Sequence, residues 1–311
     1  MIDLVALRAL MAVGRAGSVA AAGESLGYTA SAISQQVKRL ERETGVLMLE
    51  RVGRGVVLTE QGRLLVEDGR RLFGQLEAIR SRLETAAPTG GLRLVAFATA
   101  VRGLVAPMAA ALITELPGLT LTVLEQDPPE AVAMVAAGQA DMAVAHDWSG
   151  VPLHRPAHVA GRVIGQDVAD VLLPAGHPLA GSPALTPGEL LHETWACSPP
   201  GSLCHEWFTV MFEQQDRLPP IRWYSGEYDT QIEVVAQGLA AALVPRLGRR
   251  ALPQGVVAVP LRDPVPVRRL WLVWRETMSE SPAVQEVSTR LAALTDPVPA
   301  AAPATPTAPT G

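Results

Sequence analysis

Between Gly17 and Gly45 the chain reads GSVAAAGESLGYTASAISQQVKRLERETG. Its chemistry-bearing groups are short: the hydroxyls of Ser18, Thr29, Ser31 and Ser34, the amide of Gln35, and then one long cation, Lys38. Hydroxyls and amides of this kind reach base edges in the DNA major groove, and a lysine beside them reaches phosphate. Farther on, Arg51 and Arg54 bracket Gly53 in the stretch GVLMLERVGRGVVLTEQG. Arginines at a glycine-containing tip lie along phosphates or dip into a minor groove. A helix pair used only for packing leaves that basic tip unexplained.

Such groups need elements to hold them. Leu4, Leu7, Leu10 and Met11 recur at helical spacing and predict a first helix ending near Gly14–Gly17. Ser18 is the N-cap of a second helix, Val19–Leu26, and Ala21 stands where an acid would complete a capping box. Gly27 stops that helix. Thr29 caps a third, with Ile33, Val37 and Leu40 turned inward and Ala30, Ser31, Ser34, Gln35 and Lys38 outward. Alanine-rich faces let short helices cross closely. The apolar runs Val46–Leu49 and Val56–Leu58 then predict a hairpin, a wing with the two arginines near its tip.

A long helix follows, from Thr59 to about Thr85. Leu65, Leu72 and Ile79 are spaced by heptads, as are Leu76 and Leu83, which makes an a/d seam. A seam of this kind wants a partner: a second copy of the helix, or the body of the same chain. APTGG, Ala87–Gly91, is the hinge.

The 311 residues allow two or three domains, with 48% hydrophobic residues to build cores and only 4% aromatics. Net charge is −5 and uneven: residues 1–87 carry +2 and the remainder −7. A DNA-facing front and an acidic body fit that split. From Leu92 strands and helices alternate, which predicts parallel sheets with crossover helices in two lobes joined by more than one strand. Ligands of such folds lie at the C-terminal ends of the strands.

Thr99, Ala100 and Arg102 open the first helix of this body, His146 ends a strand, and Ser198 and Ser202 flank the loop before another helix. With hydroxyls, one cation and a titratable ring, the set suits a small carboxylate or other polar anion. Each also has a structural alternative: Thr99 and Ser202 as helix caps, Arg102 as a solvated base, His146 as a strand-end histidine. The last 16 residues, DPVPAAAPATPTAPTG, read as a disordered tail.

Several classes are disfavoured. Two cysteines, Cys197 and Cys204, make no disulfide framework. The Cys204-His205 pair lacks a second pair at metal-ligand spacing. No Gly-rich phosphate loop, nucleophile elbow or two-histidine metal helix appears, and HETWAC (His192–Cys197) lacks the second histidine of a zinc-protease motif. There is no signal-peptide pattern and no run of about 18 apolar residues to span a bilayer. The expected location is the cytoplasm, with no membrane partner. Two alternative readings of the α/β body remain, a solute-binding protein, which would need export, and a small-molecule enzyme, which lacks the motifs above.

The stretch Leu4–Gly62 resembles the winged helix-turn-helix of LysR-type transcriptional regulators. The shared features, in order and at fixed spacing, are Gly17-Ser18, Ala21-Ala22, Leu26, Ile33-Ser34, Leu40-Glu41, Gly45, Arg51, and Leu58-Thr59 with Gly62. Leu10 and Leu49 depart from the family's phenylalanines, Gly23 from the third alanine of its run, and Ala30 from a longer polar residue. HPLA (His177–Ala180) and VAQGLAAALVP (Val235–Pro245) match family phrases of the effector-binding body more loosely. The resemblance implies a winged helix-turn-helix over 1–58, a linker and dimerisation helix over 59–89, and a bilobed α/β effector domain over 90–295, distantly similar to periplasmic binding proteins, before the tail at 296–311. It further implies a homodimer through the linker helix, a homotetramer of such dimers on double-stranded DNA, an effector that changes DNA bending, and contact with RNA polymerase.

Overall fold

The computed structural model describes residues 2–53, 55–83 and 88–295, and the chain divides into two compact units, Met1–Arg80 and Ser81–Gly311. Arg54 and the tail from residue 296 lie outside the described residues.

The first unit contains α1 (Leu4–Ala16), α2 (Val19–Leu26), α3 (Ala30–Thr44), the hairpin β1 (Leu49–Val52) and β2 (Gly55–Leu58), and most of α4 (Glu60–Leu83). The three short helices end where the sequence places their punctuation. Asp3, Ser18 and Thr29 accept from Val5, Ala21 and Ala32 N–H, while Gly17, Gly27 and Gly45 take the left-handed C-cap conformation. Ile33, Val37 and Leu40 close on Leu10, Val13 and Ala22 in one core. Gly23 is forced by its neighbours: a Cβ there would lie 2.7 Å from the Tyr28 carbonyl oxygen.

The hairpin is displaced from its expected register. Strand β1 starts at Leu49, so Val46–Met48 is not strand and Arg51 is paired within the ladder, opposite Val56. Gly53, next after β1, takes φ +60°. Hydrogen bonds other than ladder bonds hold the preceding apolar run. Met48 and Leu49 N–H go to the Glu41 carboxylate, and Met48 C=O accepts from Thr59 N–H.

Thr59 caps α4, accepting from Gly62 N–H at 3.0 Å. Val66 and Leu65 join the helical core, and Arg8 lies 5.5 Å over the Phe73 ring. Beyond that the seam emerges into solvent, with Leu72, Leu76 and Ile79 38–46% exposed.

The second unit is a nine-stranded mixed sheet with helices on both faces. The first lobe holds β3 (Gly90–Ala96), β4 (Leu119–Glu125), β5 (Met142–Trp148) and β11 (Val267–Arg275). Between β3 and β4 run α5 (Ala98–Ala100), a π-helical turn Val101–Val105 and α6 (Ala106–Glu115). With α7 (Pro128–Ala136) and α10 (Pro282–Ala293), these cover the sheet. The second lobe holds β7 (Trp195–Cys197), β8 (Ile221–Tyr224), β9 (Ala241–Pro245) and β10 (Val256–Pro260), with α8 (Leu203–Met211) and α9 (Tyr228–Ala236) on opposite faces.

The parallel pairing expected from the alternation is present, within a mixed sheet. β3–β4, β3–β5, β7–β8 and β7–β9 are parallel, but β6 (Val159–Pro174) and β11 run antiparallel to their neighbours. β6 pairs β11 along its first part and β9 and β10 along its second, so it passes through both lobes. The run Ala98–Glu115 is, contrary to the sequence expectation, long and apolar enough by length and composition to cross a membrane. Its Leu104, Met108 and Leu112 are buried in the first lobe's core against Leu94 and Val287.

Candidate functional site

The outer face of α3 presents Ala30, Ser31, Gln35 and Lys38 exposed and Ser34 half-buried, as the helical spacing predicts. Lys38 has no acid paired with it among the described residues, whereas Arg39 is held by Asp3 at 2.9 Å and Glu43 at 3.1 Å. Ser18 and Thr29 use their oxygens to cap helices, which leaves their hydroxyl protons to give outward. Arg51 is exposed on the wing.

The shared motif residues have local physical reasons. Glu41 Oε1 ties α3 to the start of the wing at Met48, 2.9 Å away. Thr59 Oγ1 donates to Leu47 C=O at 2.8 Å, and a Cβ on Gly62 would collide with the Met48 carbonyl. Val56 N–H donates to Gly17 C=O at 3.2 Å, fastening the wing to the turn that precedes Ser18. The wing and α3 therefore form one rigid surface.

Sequence reasoning passed over Tyr28. It stands in the turn just before Thr29, is 55% exposed, and its N–H is fixed to Gly23 C=O at 2.9 Å. An aromatic residue between Gly27 and the Thr29 cap, with no apolar spacing to match, was the available signal.

In the second unit, Trp148, Arg268 and Asp167 stand in register on β5, β11 and β6, so their side chains share a face. Arg268 is fully buried where the lobes meet. Its Nε and Nη2 donate to Asp167 at 2.9 and 2.7 Å, and Nη2 also donates to Thr99 Oγ1 at 2.8 Å. The guanidinium carbon lies 5.0 Å from the Phe97 ring centre and 5.9 Å from that of Trp148. Asp167 also accepts Leu247 N–H at 2.9 Å, bracing the second lobe. Nothing local in the sequence marks Arg268; only its place between β5 and β6 reveals it.

Five of the six residues expected to hold an effector divide between this junction and its braces. Thr99 is inside the helix, and Phe97 occupies its N-cap position. His146 is buried edge-on to Phe97 at 4.7 Å, with Nε2 4.0 Å from Cys204 Sγ. Burial, then the Arg268 charge, holds its pKa well below the ordinary histidine value. Ser198 borders a cavity of about 10 Å³ with Trp148, Cys204, Tyr228 and Gln231. Arg102 donates to the Gly248 carbonyl at 3.1 Å and so bridges the lobes. Ser202 caps α8, accepting from His205 N–H at 3.2 Å. Ala100 is a correction: its side chain is fully buried in the first lobe's core and its N–H donates to Phe97 C=O, so it offers a ligand nothing.

The thiols are held protonated. Burial pushes Cys197 up to about 12, and burial also raises Cys204, against the hydrogen bond from Tyr228 at 3.2 Å. Cys204 faces His146 and Tyr228 while His205 faces Cys197 at 3.7 Å. Among the described residues no three His, Cys, Asp or Glu side chains converge to hold a metal ion.

Two family models match the chain: the LysR substrate binding domain over residues 85–295, and the bacterial regulatory helix-turn-helix protein, lysR family, over residues 4–63. The HTH-type transcriptional regulator YnfL of Escherichia coli is 26% identical over 91% of this chain and 96% of its own. The small neutral protease regulatory protein of Streptomyces coelicolor is 30% identical over 85% and 79%. A full-length OxyR variant from Pseudomonas aeruginosa has a TM-score of 0.71 at 20% identity, covering 94% of this chain and 98% of that one. Full-length CbnR complexed with its target DNA has a TM-score of 0.55 at 19% identity, over 94% and 99%.

Proposed function

The chain belongs to the LysR family of DNA-binding transcriptional regulators, with an effector-binding body and no enzymatic role, and on that premise we propose how its residues divide the work. Residues 1–58 read DNA, 59–89 dimerise and 90–295 sense a small molecule. Ser31, Ser34 and Gln35 approach base edges at the N-terminal end of α3, with Ala30 giving close access to the groove. Ser18, Thr29, Tyr28, Lys38, Arg51 and Arg54 take sugar-phosphate and groove positions. The observation that carries this reading is the exposed short-polar face of α3, held to the wing through Glu41.

The exposed Leu72, Leu76 and Ile79 support α4 as the dimer seam, and two-fold pairing of helices implies an inverted-repeat operator. Two such dimers form the tetramer. The effector lies between the lobes, bordered by Thr99, His146 and Ser198, with Arg102 and Ser202 as braces; lobe rearrangement then changes DNA bending and polymerase contact. A DNA-binding regulator of this kind works in the cytoplasm.

The test is a footprint of the full chain on the DNA upstream of its own gene across a salt series. The expected result is extended, salt-sensitive protection of an inverted repeat. Protection without any sequence preference would refute the assigned base contacts.

A further inference from the structure

The chain crosses between the lobes twice, along β6 and again on the way from β10 into β11. Two crossings that pair side by side make a hinge about which the lobes can turn. A third attachment takes that freedom away. The loop after β9, in the second lobe, supplies it through Leu247 and Gly248.

The loop is stiff in its own lobe. Arg246 N–H donates to Val168 C=O at 2.9 Å, and Arg246 and Arg249 both hold Asp170 of β6, at 2.6 and 3.0 Å. From there it reaches across. The Leu247 side chain packs on the first lobe's core. A Cβ on Gly103 would lie 2.7 Å from Leu247 Cδ1 and 2.9 Å from Gly248 N, so the hole that receives the loop exists because residue 103 has no side chain. Gly248, at φ +64°, sits so close that a Cβ there would collide with the Thr99 carbonyl oxygen. Arg102 Nε donates to Gly248 C=O at 3.1 Å, and Leu247 N–H donates to Asp167 at 2.9 Å. The receiving segment, Val101–Val105, is a π-helical turn, a geometry that concentrates at functional sites.

Thr99 joins this contact to the junction around Arg268. Its carbonyl meets Gly248, and its hydroxyl accepts from Arg268 Nη2 at 2.8 Å. A molecule lodged against Thr99 therefore bears on the seat of the loop. We propose that Leu247 and Gly248 form a latch. Seated at Gly103, it holds the lobes in one arrangement, and its release is the step that carries occupancy of the inter-lobe site to the DNA-binding unit. The proposal rests on the reading of 90–295 as an effector-sensing body. Leu247 and Arg102 act in it as positioning residues, through the lobes and not on the effector.

The experiment is amide hydrogen exchange of the full chain, read by mass spectrometry, on Leu247→Ala and Arg102→Ala, with a footprint of each on the operator that the unaltered chain protects. Exchange should quicken about tenfold over 98–105 and 246–249 together, in both variants, while β3 and β5 keep their protection. The footprint should change in extent with its salt slope unaltered, since no DNA contact is lost. Arg102→Ala removes a hydrogen bond without touching the core, so it reports even where Leu247→Ala fails to fold. Faster exchange in only one of the two segments, or in neither, overturns the latch. Faster exchange in both with an unaltered footprint overturns its part in regulation and leaves the regulator reading intact. An unaltered chain that protects no specific DNA sinks the regulator reading itself, and with it the role given to the latch.

Discussion

The carboxylate of Glu41, on α3, accepts the backbone N–H of Met48 at 2.9 Å, just before the wing. One side chain thus sets the angle between α3 and the wing. Glu41→Ala should leave Met48 and Leu49 N–H without their acceptor and destabilise the first unit by about 1–3 kcal/mol. Chemical denaturation measures that loss. DNA affinity should fall with it, while base preference is retained, since no base contact has been removed.

Lys38→Ala and Arg51→Ala should each weaken binding to all sequences and flatten the log–log salt dependence by about one unit. Ser34→Ala and Gln35→Ala should change preference at particular base pairs by about 1–3 kcal/mol each. Fluorescence anisotropy on a panel of operator variants separates the two behaviours. A uniform loss in all four variants would contradict the division of roles.

Tyr28 is exposed and rigidly mounted, so Tyr28→Ala should cost little stability and reduce DNA affinity several-fold, on the order of 1 kcal/mol. Gly23→Ala should behave in the opposite way. Its methyl group would press on the Tyr28 carbonyl and cost about 1–3 kcal/mol of stability, although alanine is what the family usually has there.

Leu72→Glu with Leu76→Glu should separate the protomers. Both residues are exposed in the single chain, so folding of the unit is spared. Sedimentation should show the assembly falling to a lower mass, with footprints shrinking toward half-sites. An unchanged mass would move the dimer interface away from this seam.

His146 is buried and its pKa lies well below 6.5, first through desolvation and then through Arg268. The unfolded chain takes up a proton near pH 6.5 that the folded chain refuses. The contribution of neutral His146 is therefore complete above that pH and is lost as pH falls below it. Thermal unfolding from pH 7.5 to 5.5 should show declining stability of the body, and His146→Phe should flatten that decline.

The DNA-binding unit was legible because its signals are local. Caps at Ser18 and Thr29 and left-handed glycines at 17, 27 and 45 stand next to the helices they bound. The wing shifted because Val46–Met48 is held by Glu41 and Thr59, partners distant in sequence, and not by a ladder. In the body, β6 shows a strand pattern in the sequence only from Asp170 onward. Its first part is broken up by Gly161 and Gly165 and carries Asp167, so no strand pattern shows before the sheet pairs it with β11. Arg268 became visible only when β5 and β6 set Trp148 and Asp167 beside it and the helix after β3 added Thr99, Asp167 being 101 residues away and Thr99 169.

The most direct test of the account is selection from fragmented genomic DNA by the purified full chain, followed by footprinting of what it retains. The enriched fragments should share an inverted repeat, protected over both halves, with the enrichment lost in the Ser34→Ala, Gln35→Ala double variant. A folded chain that enriches no fragment above the non-specific background, or a double variant that enriches the same fragments equally well, would contradict it.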